Sequence, residues 1–399
     1  MWSALQHPAF RWLFVSTLFS FAASKIHRIA LLFVAYQETQ NAVWISLILG
    51  AQFFASAVLG PLMGPLADRY DRRTLMAISN LARAVLVAGI PLFAMDSMPI
   101  LMAISFLMAV FEALYNSSSN SAIPDMVPES ALDSANGLMM FIQRFSEIAF
   151  VALAGTLVAA VGPVPAFWIN VLSYLIAAGF LIFLPVLSGK AGRGSYFKAV
   201  AEGIRPLWQD PVLSRTIGTL ALAAAFGSVE GALGIVYAVG ALKIGVQGFG
   251  VLEALMAAGA VLGLWVTMPL IKRWTREVVF IRSLALWGIV FASLGLFPNP
   301  IWAGIATLLM GLLNTMFIVP ARSIIQLSAP VELRGRIMAA FGATMQSAVL
   351  LGTLLAGLLE PRLGVLTVLW LSGFTVFLVV FTVILRGGIP RPVAESTQA

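Results

Sequence analysis

Long apolar runs, each interrupted by only a few polar residues, dominate the chain from residue 10 to residue 386. A helix needs about 20 mostly apolar residues to cross the hydrocarbon core of a bilayer. Runs near 10–36, 43–66, 74–95, 99–123, 137–161 and 165–187 meet that requirement, and a second set follows near 213–240, 248–271, 277–297, 300–326, 336–359 and 364–386. The pattern predicts twelve spans. Gly162-Pro163 and Pro298-Asn299-Pro300 fall between runs, where residues that break helices make tight turns. The only long polar stretch, 188–212, divides the chain into an N-terminal six-helix bundle at 1–187 and a C-terminal one at 213–399. Within that linker, Tyr196 to Trp208 reads as an amphipathic helix suited to an anionic membrane surface.

Composition agrees with the pattern. Of 399 residues, 60% are hydrophobic and 10% are charged, and the mean hydropathy is +0.96. Soluble domains carry roughly a quarter charged residues, so most of this surface must face lipid. The chain is an all-α membrane protein by this reading. Cysteine is absent, which excludes a disulfide framework and thiolate metal or redox sites. No cleavable signal peptide is evident, because the first apolar run is long enough to stay in the membrane.

The net charge of +7 would point to nucleic acid in a soluble protein, but the basic residues are not gathered with exposed aromatics in one stripe. They fall in alternate gaps between spans. One side holds Arg69, Arg72 and Arg73, then Lys190, Arg193, Lys198 and Arg205, then Lys272, Arg273 and Arg276, then Arg334 and Arg336, with Arg386 and Arg391 in the tail. The other side holds Lys243 and Arg362. Basic residues stay in the cytoplasm, so both termini are expected there. The gap with Asp125, Glu129 and Asp133 is acidic, and its placement rests on the helix count.

The two halves also echo each other. The string LMAVFEALYNSSSNSAIPDMVPESAL from Leu107 lines up with LMGLLNTMFIVPARSIIQLSAPVELR from Leu309, and VLGPLMGPLADRYDRR from Val58 with VLGLWVTMPLIKRWTRE from Val261. Two such halves in the same orientation are a plan of transporters with a substrate site between them.

Between the second and third spans stands GPLADRYDRRT, Gly64 to Thr74. Gly64 lets helix ends approach closely, Asp68 can meet the positive end of a neighbouring helix, and Arg69, Arg72 and Arg73 hold the loop at the membrane face. A charge latch of this kind biases a two-state motion if it is stronger in one state; a plain basic loop serving topology is the alternative. The string resembles the loop signature of the major facilitator superfamily, with Asp71 where many members have a second Gly. The strings ADRYDRRTLMAISNLARA and AIPDMVPESALDSANGLMMFIQR are similar to the drug and siderophore exporter branch, which includes macrolide-efflux and enterobactin-exporter proteins. The glycine-rich fifth span of proton-coupled exporters is reduced here to Ala154-Gly155.

A charge at the bilayer centre costs at least about 2.5–3.5 kcal/mol on insertion scales, so each one needs a reason. The resemblance implies that spans one, four, seven and ten line a central cavity, which would receive Lys25, His27 and Arg28, then Glu112, Asn116 and Asn120, then Glu230, then Asn314 and Arg322. Glu112 and Asn116 share a helix face, as do Lys25 and Arg28. Two roles are open to Glu112: a proton carrier, or a fixed partner for Lys25, Arg28 or Arg144. Arg144 and Glu147, one turn apart, read as a structural pair. Lys25 and Arg28 suit an anionic group on a substrate. Arg322 reads as a gate or an anchor, His27 as a proton relay or packing, and Arg83 and Arg282 as internal anchors.

No enzyme motif appears: His-Glu-x-x-His, Gly-x-Ser-x-Gly and the Walker phosphate loop are all missing. No pore filter is visible either. No metal or other cofactor is expected. The expectation is a monomeric secondary transporter in a bacterial inner membrane, working with an amphipathic solute, protons and membrane lipids, and the alternative is a lysophospholipid flippase or organic-anion importer on the same fold.

Overall fold

The computed structural model describes residues 3–187, 196–330 and 333–390; within these, the side chains at 61, 64, 65, 68, 196, 197 and 199 are outside the described set. The described residues form α1 (Pro8–Thr39), α2 (Ala42–Val58), α3 (Gly60–Arg69), α4 (Arg72–Gly89), α5 (Met98–Ala122), α6 (Glu129–Val161) and α7 (Pro163–Leu181). Then come α8 (Tyr196–Gln209), α9 (Pro211–Ile235), α10 (Gly245–Arg273), α11 (Arg276–Leu296), α12 (Pro300–Ser328), α13 (Arg334–Leu363) and α14 (Val365–Leu385). Eleven of the described helical segments are long and apolar enough to cross a membrane.

The second predicted span, 43–66, is the exception. It is two helices, α2 and α3, separated at Leu59. Pro61 has no N–H to donate and Gly60 is a poor helix former, so the hydrogen-bond ladder is interrupted there. Elsewhere the helix ends follow the local chemistry. Asn299 caps α12, accepting from the backbone N–H of Ile301 at 2.9 Å and Trp302 at 3.2 Å. Gly162 and Gly364, at φ +82° and +77°, make the sharp turns from α6 to α7 and from α13 to α14, a conformation costly to any residue with a Cβ. α6 begins at Glu129, ahead of the predicted 137, so two of the three acidic residues of the exceptional gap, Glu129 and Asp133, belong to the start of that helix.

The chain divides into two compact units. The first comprises Met1–Gln40, Leu47–Arg193 and Gly245–Ala254, and the second Asn41–Ser46, Gly194–Ile244 and Leu255–Ala399. In the first, α1 packs on α6 and α7, and α4 packs on α5 and α7. In the second, α9 packs on α13 and α14, and α11 packs on α12 and α14. These four packed pairs correspond one to one between the units.

Small residues set the closest approaches. A Cβ on Gly155 of α6 would lie 2.9 Å from the Cα of Gly250 in α10, so the two backbones meet directly in the first unit. In the second unit, Gly203 of α8 sits hard against the Arg336 carbonyl of α13, and Glu202 pairs with Arg336 at 3.0 Å. The amphipathic linker helix is thus seated on α13 along one side.

Candidate functional site

A cavity of about 490 Å³ opens inside the first unit. Three helices line it at helical spacing. α1 contributes Thr17, Phe21, Ser24 and Lys25; α5 contributes Glu112, Asn116, Ser119 and Asn120; and α6 contributes Asn136, Met139, Met140, Gln143 and Glu147. Positions three and four apart share one face of a helix, so each polar stripe is a direct product of its sequence. The lining combines one ammonium, two carboxylates and four primary amides with the soft side chains of Phe21, Met139 and Met140.

Lys25 stands near the middle of α1, and the charges of Arg28, Glu147, Glu112 and Glu253 all act on it. Arg28, one turn further along, pairs with Glu253 of α10 at 3.4 Å, and that carboxylate is 15% exposed. Glu253 escaped the sequence reading, because its span, the eighth, is not among the first, fourth, seventh and tenth expected to line the cavity. Its reach to Arg28 depends on the close passage of α10 at Gly250, one turn earlier. Arg144 donates to Glu147 at 2.8 Å, within one turn of α6. Of the three cations considered as partners for Glu112, two are therefore engaged with other carboxylates, and Lys25 is the one that lines the larger cavity with it.

His27 is buried between these groups, 5% exposed, with its ring 6.4 Å from that of Phe167. It borders a smaller cavity of about 90 Å³ that shares Ser24, Lys25 and Glu112 with the larger one and also meets Arg28 and Tyr174. Neither ring nitrogen has a hydrogen-bond partner among the described residues. Arg83 lies deeper. Its guanidinium is held between the rings of Tyr115 and Tyr174, 5.1 and 4.6 Å from their centroids, and donates to Ser20 at 2.9 Å and Asn80 at 2.6 Å. Stacking between two aromatic faces stabilises a buried cation.

The other expected cavity residues lie in the second unit. Glu230 on α9 and Asn314 on α12 are half-buried, while Arg322 on α12 is exposed. No group of three or more His, Cys, Asp or Glu residues among the described ones is arranged to hold a metal ion.

The loop signature forms a connected set of contacts at the end of the first unit. Arg72, 7% exposed, donates to the Ala67 carbonyl at 3.3 Å, to the Ser121 carbonyl at 2.8 Å and to the Asp125 carboxylate. Arg73 donates to the Leu184 carbonyl at 2.7 Å. Asp71 caps α4 by accepting from the Thr74 N–H at 2.9 Å, and its second oxygen accepts from the Leu187 N–H at 2.7 Å. Burial alone would raise the Asp71 carboxyl, but the donors of Thr74, Leu187 and Arg73 outweigh it and hold the group below the ordinary carboxylate value. Arg69 is exposed. Gly64 and the Asp68 side chain lie outside the described residues. The sequence put the helix-end carboxylate at Asp68, and in the structure Asp71, the family departure, caps a helix. Its signal was a carboxylate three residues before Thr74, the N-cap spacing.

The Major Facilitator Superfamily model matches residues 13–352. The chain is 25% identical to macrolide efflux protein A of Streptococcus pyogenes over 370 residues, covering 89% of this chain and 90% of that one. It is also 25% identical to the multidrug efflux pump Tap of Mycobacterium tuberculosis over 378 residues, covering 90% and 88%. Among solved structures, the nucleoside transporter NupG superposes with a TM-score of 0.80 at 12% identity, over 94% of this chain and 98% of NupG. The chain is a multi-pass membrane transporter, not an enzyme, and belongs to the major facilitator superfamily.

Proposed function

We propose that the protein is a secondary active transporter that works by alternating access and exports an amphipathic solute from the cytoplasm in exchange for protons. The observation that carries this reading is the cavity in which Glu112, Lys25, Asn116 and Glu147 share one enclosed space among spanning helices. Amides and charges at such depth are costly unless they serve a solute or an ion, and the flanking Phe21, Met139 and Met140 suit an apolar body of variable shape. The printed names of the two efflux relatives agree in direction.

In this reading Glu112 carries the proton. Lys25 and Arg28 already have carboxylates acting on them, so the charge that changes over a cycle is the one on Glu112. When Glu112 is ionised it holds a basic or hydrogen-bonding group of the solute. When it takes a proton it releases that group. Asn116 orients the solute on the same face. Arg69, Arg72 and Arg73, with Gly64 and Asp68, form the latch that biases the two states. Both termini then lie in the cytoplasm, in the inner membrane of a bacterium.

The test is transport of a fluorescent amphipathic amine by proteoliposomes across an imposed pH gradient. Glu112→Gln is expected to abolish proton-driven transport while the purified variant still folds. Transport at the wild-type rate removes Glu112 from coupling.

A further inference from the structure

Glu277 lies on the first turn of α11 in the second unit and is 5% exposed. Neither of its carboxylate oxygens has a hydrogen-bond partner among the described residues. A carboxylate removed from water without a partner is strongly disfavoured, and the positive end of α11 offsets only part of that cost. Glu277 borders a pocket of about 370 Å³ with Thr275, Ile281, Arg282, Ile384 and the turn at Gly387 and Gly388. Arg282 is exposed, its guanidinium rests 5.1 Å from the centroid of the Trp274 ring, and it forms no ion pair among the described residues. One pocket thus presents a buried anion, an accessible cation and an aliphatic wall.

Its place decides what fits. The pocket sits where α11 begins and α14 ends, at the termini of two spanning helices. Those helices carry Leu286, Ile289, Ile384 and Leu385 exposed, as residues that meet acyl chains are. We propose that this pocket binds the zwitterionic headgroup of an aminophospholipid. The primary ammonium hydrogen-bonds to Glu277, the phosphate meets Arg282, and the acyl chains run along the exposed flanks. A primary ammonium has three N–H donors for the unfilled acceptors of the carboxylate, whereas a choline headgroup has none. A free amine would answer Glu277 alone and leave Arg282 and the aliphatic wall unmatched, so the occupant is the lipid. This site is separate from the cavity of the first unit and does not rest on the transport reading.

The experiment reconstitutes the full-length protein in vesicles of equal phosphatidylethanolamine and phosphatidylcholine, re-extracts it in mild detergent and quantifies the lipid that stays bound. Wild type is expected to retain the ethanolamine lipid over the choline lipid by about tenfold, the scale of one charge-assisted hydrogen bond. Glu277→Gln is expected to bring the ratio near one. Should that variant fail to fold, Arg282→Ala decides through the phosphate, and it is expected to lower retention of both lipids. No ethanolamine preference in wild type, an unchanged ratio in folded Glu277→Gln, or unchanged retention in Arg282→Ala overturns the assignment. So does displacement by an equal concentration of dodecylamine, which would make the site one for amines alone.

Discussion

Arg72 and Asp125, 53 residues apart in the chain, are joined by a charge-assisted hydrogen bond that ties the loop after α3 to the turn that ends α5. The bond explains why an acidic residue stands in a gap otherwise out of keeping with the basic bias. Asp125 is the counter-charge of the loop signature.

Arg72 is nearly enclosed and spreads its donors over two carbonyls and one carboxylate. A lysine offers a compact ammonium that cannot span them. We expect Arg72→Lys to lower stability by about 1–3 kcal/mol, the range for hydrogen bonds to charged groups, and Asp125→Asn to cost less because that carboxylate is 38% exposed. Thermal unfolding in detergent checks both. Equal melting points for wild type and Arg72→Lys contradict the expectation.

Asp71 gives the loop a pH dependence with a defined sign. Its folded-state carboxyl lies below the ordinary value of 3.8. Its contribution is therefore complete above 3.8 and is lost as pH falls through the lowered folded value. Asp71→Ala removes both the cap and the Leu187 anchor and is expected to cost about 1 kcal/mol. The difference in melting temperature between wild type and Asp71→Ala should hold steady from pH 7 to pH 5 and shrink below pH 4. A difference that grows on acidification has the wrong sign.

The Arg28–Glu253 pair holds two charges between α1 and α10. Removing one partner leaves the other without its counter-charge. Glu253→Gln is expected to lower transport by about tenfold, and the exchanged double variant Arg28→Glu with Glu253→Arg to recover much of it, as coupled residues do in a double-mutant cycle. Additive losses in the double variant would show that the two residues act independently.

Gly155 and Gly250 allow that pair to form by letting α6 and α10 touch. Gly155→Val overpacks the contact, which typically costs about 1–3 kcal/mol. The expected readout is a lowered melting temperature together with a transport defect like that of Glu253→Gln. Normal values for both would show that α10 has room to move.

The apolar runs alone determine that this chain is a helical membrane protein, because backbone hydrogen bonds must be closed within each segment in lipid. The polar stripe Glu112–Asn116–Asn120 is legible for the same reason: helical periodicity is local, and residues four apart must share a face. The loop signature was equally plain. Partners were not. That Arg72 meets Asp125 and that Arg28 meets Glu253 depends on which helices lie side by side, and charge alone does not choose among several carboxylates; the Arg144–Glu147 pair, one turn apart on one helix, was the exception that the sequence did show. α6 entered the cavity through Asn136, Gln143 and Glu147, although the sequence singles out only Arg144 and Glu147 on it, as a structural pair. The break at Leu59 was hidden because Gly60 and Pro61 sit inside an otherwise continuous apolar run. Tertiary packing decides such matters because a buried charge is stabilised by a partner supplied from another part of the chain.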